Sequence, residues 1–504
     1  MGQGGIFLRK KSPIFYSAML LTAVNLLLRL VSTSFQVYLS GRIGAAGIGL
    51  LQLVLSVGSM ALTAGIAGIR TATMYLTAGE LGVRKPENVR HILSGCTLYS
   101  ILCASAVAIL FYSFAPVLAE KWIGDTRSTD SIRLFACFLP VCCLCGVMSG
   151  YFTAANRIGK LVAVEIAEQL FSMAVTMSAL TLWAGSDPGK ACQSVILGSG
   201  LGACLTLTLL TAFRITERAP KGKPFPIRKR LLDAAVPLAL ADDLKAGINT
   251  VENLMVPKRL SRFPGVTDPL AIFGTVCGMV FPVLMFPAAI VFSLAELLIP
   301  EMARCNAAGS RVRTRYLAKR SLRVVLIYSC VFCGLLNLLD DPLCLWLYDS
   351  FDAGRYLSLY ALLAPMLYCD AIIDAMNKGL GQQKICVRYN ILTATLDVLF
   401  LFVLLPRYGM DGYFFSFLVS HLLNFILSLR LLLKTADLQL SFRIPLTTLL
   451  CLGASIFLSS FLKTPLLRCS AFSLLFGSLL TLCRVISRED LRWLKGLIKV
   501  QSQG

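Results

Sequence analysis

The feature that most constrains this chain is a succession of long apolar runs. They lie at about 14–40, 44–68, 91–118, 131–155, 158–184, 190–213, 231–257, 267–299, 321–340, 356–378, 384–406, 411–434, 443–462 and 465–486. About 20 apolar residues of helix cross the hydrocarbon of a bilayer. In lipid only helices and closed barrels satisfy their own backbone, and these runs are continuous rather than alternating, which excludes a barrel. The expected fold is therefore an all-α integral membrane protein with about fourteen transmembrane helices. Composition agrees: 56% of residues are hydrophobic and 15% charged, against about 25% charged in a soluble protein. Arg9-Lys10-Lys11 before the first run resembles a secretory leader, but the run is too long and lacks a small-residue cleavage site. It reads as a retained first span.

The net charge of +21 would suggest nucleic acid in a soluble chain. Here the cations fall in short links between spans, and no basic patch interleaved with aromatics supports a nucleic-acid partner. Alternate links carry about 33 Lys and Arg on one side and about 12 on the other. The rule that positive loops stay inside then predicts cytoplasmic termini and an even number of spans. Links on the other side collect acids, among them Glu120, Asp125, Asp130, Asp340, Asp341, Asp349 and Asp352.

Two spans break the apolar pattern. The run 231–257 carries Asp242, Asp243, Lys245, Asn249, Glu252 and Asn253. Asp242, Lys245, Asn249 and Glu252/Asn253 share one helical face. A charge at mid-membrane costs roughly 2.5–3.5 kcal/mol, so this face is expected to look into a bundle or a wet cavity. Pro237 predicts a kink or break in the same span. The first span has its own stripe, Thr22, Asn25, Arg29, Ser32 and Gln36. Secondary ionisable candidates are Glu165 and Glu168 on one face of the fifth span, Asp370 and Asp374 on the tenth, and Asp397 in the eleventh. Arg70 and Glu296 fit snorkelling to the interface, and the lone His91 and His421 fit packing.

The longest polar break, RITERAPKGKPFPIRKR, is stiffened by Pro220, Pro224 and Pro226. It divides the chain into 1–213 with six spans, a basic linker 214–230, 231–434 with six more, and 435–504 with two further helices and a tail. A shift of about 224 positions places Asn25 on Asn249 and Lys160 on Lys384, and the fourth spans end alike, in AANRIGK and GLGQQK. We expect two six-helix repeats forming N- and C-lobes around a central cavity; transporters of that plan bind substrate between their halves.

Soluble catalytic machinery is not expected. Gly185-Ser-Asp-Pro-Gly189-Lys190 is one residue short of a Walker A loop and is followed by Ala191. HExxH and GxSxG are missing, and no link is long enough for a catalytic domain. The 18 cysteines lie mostly inside apolar runs; Cys137, Cys142, Cys143 and Cys145 have no second ligand pair at zinc spacing. The chain is expected to be no enzyme, with no catalytic set, no metal centre and no cofactor.

Three stretches carry a family resemblance: Ile248-Asn-Thr-Val-Glu-Asn-Leu-Met-Val-Pro-Lys-Arg-Leu260, Phe273-Gly-Thr-Val-Cys-Gly-Met-Val280 and Ser293-Leu-Ala-Glu-Leu-Leu-Ile-Pro300. With Arg29, Gly44-Ala-Ala-Gly-Ile-Gly49 and duplicated six-span halves, the chain resembles the multidrug/oligosaccharidyl-lipid/polysaccharide exporter superfamily, nearest its stage V sporulation protein B and polysaccharide biosynthesis group. The resemblance implies a flippase in the bacterial inner membrane, working on undecaprenyl-type lipid-linked sugars including peptidoglycan precursors. Related lipid II flippases use several cavity arginines. Arg29 matches the first-helix one, whereas the eighth-span arginine is replaced near Gly278.

The expectation is alternating access for a pyrophosphate-bearing glycolipid. Arg29 and Lys245 are its cationic partners, with Asn25, Gln36, Asn249 and Asn253 on sugar hydroxyls. Asp242, Asp243 and Glu252 are candidates for a coupling cation or proton, and membrane lipids surround the tail. The alternatives are a cation-coupled drug or metabolite exporter of the same fold, and a non-transporting scaffold for envelope or spore assembly.

Overall fold

The computed structural model describes residues 13–66, 68–82, 86–185, 187–215, 228–439, 441 and 443–485. The N-terminal cations, most of the linker 214–230, and the tail beyond 485 lie outside the described residues. So does the side chain of Asn25. Most of the described residues are helical, with no strand among them.

The helices are α1 (Pro13–Ile66), α2 (Ile69–Gly82), α3 (Val89–Val117), α4 (Thr129–Ala154), α5 (Ile158–Ala179) and α6 (Pro188–Ile215). Next come α7 (Arg228–Leu260), α8 (Pro269–Phe273), α9 (Phe281–Met285), α10 (Ala288–Ala307), α11 (Arg311–Leu338) and α12 (Asp340–Tyr348). The last are α13 (Phe351–Ala361), α14 (Ala364–Gly379), α15 (Gln383–Thr435), α16 (Arg443–Ser460) and α17 (Pro465–Leu482).

Among the described residues, nine helices are long and apolar enough to cross a membrane, or eleven if each of two bent pairs is one span. Two of the nine are double. The backbone of α1 leaves helical geometry at Gly44 (φ 69°) and that of α15 at Gly409 (φ 56°), so each contains two of the apolar runs. Positive φ suits glycine, which has no Cβ to clash. Charge excludes α7 from the apolar set, yet its helix continues from Arg228 to Leu260 through Pro237. The helix is not broken at Pro237, since losing one backbone hydrogen bond does not end a helix of this length. Counting the halves of α1 and α15 separately and adding α7, each of the fourteen runs lies on a helix or bent helix pair.

The chain forms two compact units. The first comprises residues 1–278 and 394–416, the second 279–393 and 417–504. In the first, Ile69, Val89, Ile92, Cys96, Val147 and Phe152 form part of a core that Leu231 and Ala235 of α7 join. Small residues let α1 and α8 touch by backbone: a Cβ on Gly274 would lie 2.0 Å from the Ala45 carbonyl oxygen, and one on Gly49 2.2 Å from that of Leu270.

In the second unit, Tyr360, Tyr368 and Phe472 are among the largest fully buried side chains. Prolines 282 and 287 interrupt the helix around α9, and two tyrosines take up carbonyls there. Tyr368 donates to Leu284 O at 2.5 Å and Tyr328 to Pro287 O at 2.7 Å. A second break separates α13 from α14, bent by 55°. Phe472 of α17 closes onto Gly334 of α11. Leu182, Leu466 and Leu482 are each at least 79% exposed, as on helices that face lipid rather than water.

Candidate functional site

The polar seam of α7 lies in the first unit, beside α1 and the middle of α15. Its Thr250 hydroxyl is 3.0 Å from the Ser56 carbonyl of α1 and 2.8 Å from that of Ala246. Asn253 Nδ2 donates to Ser56 Oγ at 3.0 Å. One amide and one hydroxyl therefore fasten α7 to α1, where an unsatisfied polar group would be costly. Gln36 makes a similar bond: its Nε2 donates to the Gly278 carbonyl at 3.1 Å. Both amides read from the sequence as ligand groups thus also hold helices together.

Glu252 and Asp397 form the chemical centre of the seam. Their carboxyl groups are hydrogen-bonded to each other, although 145 positions separate them in the chain. A bond between two carboxyl groups needs a proton on one of them. Asp397 is 3% exposed, and its Oδ1 accepts from Ser416 Oγ at 2.5 Å. Ser416 comes from the far side of the Gly409 kink, which folds the two halves of α15 together. Close by in sequence, Cys277 Sγ is 3.9 Å from Tyr413 Oη.

The other coupling candidates stand apart. Asp243 is nine residues before Glu252, about 13 Å along the helix and half a revolution round it. It borders a cleft of about 340 Å³ with Met60, Trp122, Ile248, Thr395 and Val398. Its Oδ1 is buried with no hydrogen-bond partner among the described residues. Asp242, Lys245 and Asn249 are exposed on α7, and Arg29 is exposed on α1.

The secondary acids fall into separate places. Glu168 accepts from Thr206 at 2.6 Å within the first unit, and Glu165 lies near Arg70. In the second unit, Asp370 accepts from Asn424 at 2.9 Å, and Asp374 is paired with Lys378 at 2.6 Å. Only Asp397 joins a primary candidate. Sequence reasoning missed Ser416, Ser56 and Tyr413, which are common residue types with no local signal. Among the described residues no cluster of His, Cys, Asp or Glu is arranged to hold a metal ion.

No family model matches the chain. It is similar to stage V sporulation protein B of Bacillus subtilis (strain 168), 21% identical over 422 residues, which is 79% of each protein. Among solved structures, the lipid II flippase MurJ in an inward closed conformation matches with a TM-score of 0.67. That match has 12% identity and covers 92% of this chain and 98% of that one. An inward-facing MATE family multidrug resistance transporter of the MOP superfamily matches with a TM-score of 0.63 at 12% identity, covering 82% and 99%. These structural neighbours are transporters, at identities that speak to fold alone. The chain is thus a multi-pass membrane protein with the all-helical fold of the MOP superfamily transporters, and it is similar in sequence to stage V sporulation protein B.

Proposed function

We propose that this protein is a flippase that moves a lipid-linked oligosaccharide or peptidoglycan-type precursor across the bacterial inner membrane, with both termini in the cytoplasm. Spans 1–6 and 7–12 act as two lobes, 1–213 and 231–434, joined by the basic linker, and one binding site is exposed to each side of the membrane in turn. The observation that carries this reading is the mixed character of the exposed polar residues. Arg29 on α1 and Asp242, Lys245 and Asn249 on α7 offer two cations, one acid and an amide, a net positive set that suits a pyrophosphate-linked sugar better than an organic cation. Arg29 presents a planar fork to phosphate oxygens, and Lys245 adds a point charge. Asn25 and Asn249 serve sugar hydroxyls. Gln36 and Asn253 each place one donor on another helix and serve the sugar with what remains.

The Glu252–Asp397 pair is the coupling site in this reading. Binding a proton or a monovalent cation between two carboxyl groups exchanges one for the other without leaving a bare buried charge. Asp242 and Asp243 set the local potential around Lys245.

A cation-coupled drug or metabolite exporter is the second reading, favoured by the buried acid pair. The deciding experiment reconstitutes the full chain in vesicles and follows transbilayer movement of a fluorescent polyprenyl-diphosphate-linked sugar. Movement faster than in empty vesicles supports the flippase. Rates equal to empty vesicles, with proton- or sodium-driven efflux of a cationic dye, favour the exporter.

A further inference from the structure

Helix α11 is 28 residues long, about 42 Å at ~1.5 Å per residue. Its charges are confined to one end. Residues 311–323 carry six cations and no acid, and residues 324–338 carry no charge at all. Those last fifteen residues give only about 22 Å of apolar helix, short of the ~30 Å hydrocarbon. A span this short draws its flanking residues into the membrane boundary, where Lys and Arg stems lie in hydrocarbon and their heads reach for the interface.

The outward face of this end is built for that place. Val312, Tyr316, Lys319 and Arg323 follow one another at i, i+4, i+7 and i+11, opposite buried Thr314, Ala318 and Val325. Val312 is 79% and Tyr316 56% exposed. A purely solvated helix end has little use for two large exposed apolar groups among its cations. The Arg320 guanidinium lies 5.7 Å from the centre of the Tyr316 ring and donates to its hydroxyl. On the flanks, Glu301 pairs with both Arg313 (2.5 Å) and Arg304 (3.5 Å), and Asp437 pairs with Arg315. These two acids do not balance the end: seven basic residues fall between 301 and 323 against the single acid Glu301. Exposed Arg430 and Lys434, on the α15 segment that leads to Asp437, add two more cations.

We propose that the Tyr316–Lys319–Arg323 face of α11 is a binding site for the headgroup of an anionic phospholipid, its phosphodiester held by Lys319, Arg320 and Arg323, with Tyr316 at the glycerol level. Assignment to the cytoplasmic leaflet rests on the orientation proposed above; the binding itself does not depend on the flippase reading.

The test is native mass spectrometry of the full chain in detergent, titrated with phosphatidylglycerol or phosphatidylcholine. Phosphatidylglycerol should bind more tightly and lose affinity as salt rises. The pair Lys319→Gln and Arg323→Gln should weaken it by about fivefold for each charge removed. Arg355→Gln, an exposed cation outside this face, should leave it unchanged. Equal binding of the two lipids, salt-independent binding, or an unaffected double variant would overturn the proposal. Displacement of the lipid by inorganic phosphate would also overturn it, because the cations would then be serving a free anion. If the double variant does not fold, the salt dependence and lipid preference of the wild-type chain still decide. Transport is not measured, so the outcome here is independent of the flippase assay.

Discussion

Glu252 of α7 and Asp397 of α15 share a hydrogen bond between their carboxyl groups, and Ser416 donates to the same Asp397 across the Gly409 kink. Glu252→Gln keeps a donor toward Asp397 and removes one titration. The variant should fold with a stability within about 1 kcal/mol of wild type, while transport loses its response to a pH gradient. Thermal unfolding in detergent and gradient-driven flux in vesicles measure the two halves of this prediction. A variant with normal gradient-driven flux would leave the acid pair a structural link only.

The contact between Asn253 and Ser56 is a helix fastener as well as a candidate sugar contact. A double-mutant cycle with Asn253→Ala and Ser56→Ala should give a coupling of about 0.6 kcal/mol, as polar contacts between membrane helices do. Zero coupling would mean that the amide serves only the cargo.

The approach of α1 to α8 leaves no room for a methyl group. A Cβ on Gly274 would meet backbone atoms of Ala45 and Gly49, at 2.0 and 2.6 Å, which cannot step aside as a side chain can. Gly274→Ala should therefore cost about 1–3 kcal/mol and lower the unfolding temperature in detergent. Gly79→Ala, which meets nothing within 4 Å, is the matched control and should be neutral.

In the link between α3 and α4, Asp125 accepts from the Arg127 amide at 2.9 Å and pairs with its guanidinium at 2.6 Å. The Arg127 side chain holds this carboxyl below the usual carboxylate range. The folded state then binds its proton more weakly than the unfolded state does. The stabilisation is present above the unfolded value of about 3.9 and is lost as pH falls through the lower folded value. Asp125→Asn keeps the cap without the charge. Compared by unfolding temperature, the wild-type advantage should be modest at neutral pH, since Arg127 is half-exposed, and should vanish in strong acid. An advantage that survives strong acid would assign it to the cap alone.

Much of the architecture was legible because lipid imposes a coarse code. Runs of 20 apolar residues and the cations between them need no tertiary knowledge to read. The kinks at Gly44 and Gly409 mark where two runs share one helix, which hydropathy already separated. The charged face of α7 was legible for the same reason, since each charge there stands out against hydrocarbon. Pairing was not. Nothing near Glu252 names Asp397, and Ser416 is an ordinary residue until the fold carries it to that carboxylate. Gln36 and Asn253 show a different limit: inside a membrane an amide must be satisfied whether it holds a helix or a ligand, and its identity alone does not separate the two. The partner of Asp374, Lys378, stands one helical turn on, a spacing visible from the outset.

The most direct test of the central claim is the rate at which vesicles carrying Arg29→Ala or Lys245→Ala move a polyprenyl-diphosphate-linked sugar across the bilayer, against wild type and Arg355→Gln at equal protein content. Losing one charge-assisted contact to phosphate, worth roughly 1.5–3 kcal/mol, predicts a rate lower by at least about tenfold for the first two and unchanged for Arg355→Gln. Wild-type rates in both Arg29→Ala and Lys245→Ala would contradict the account.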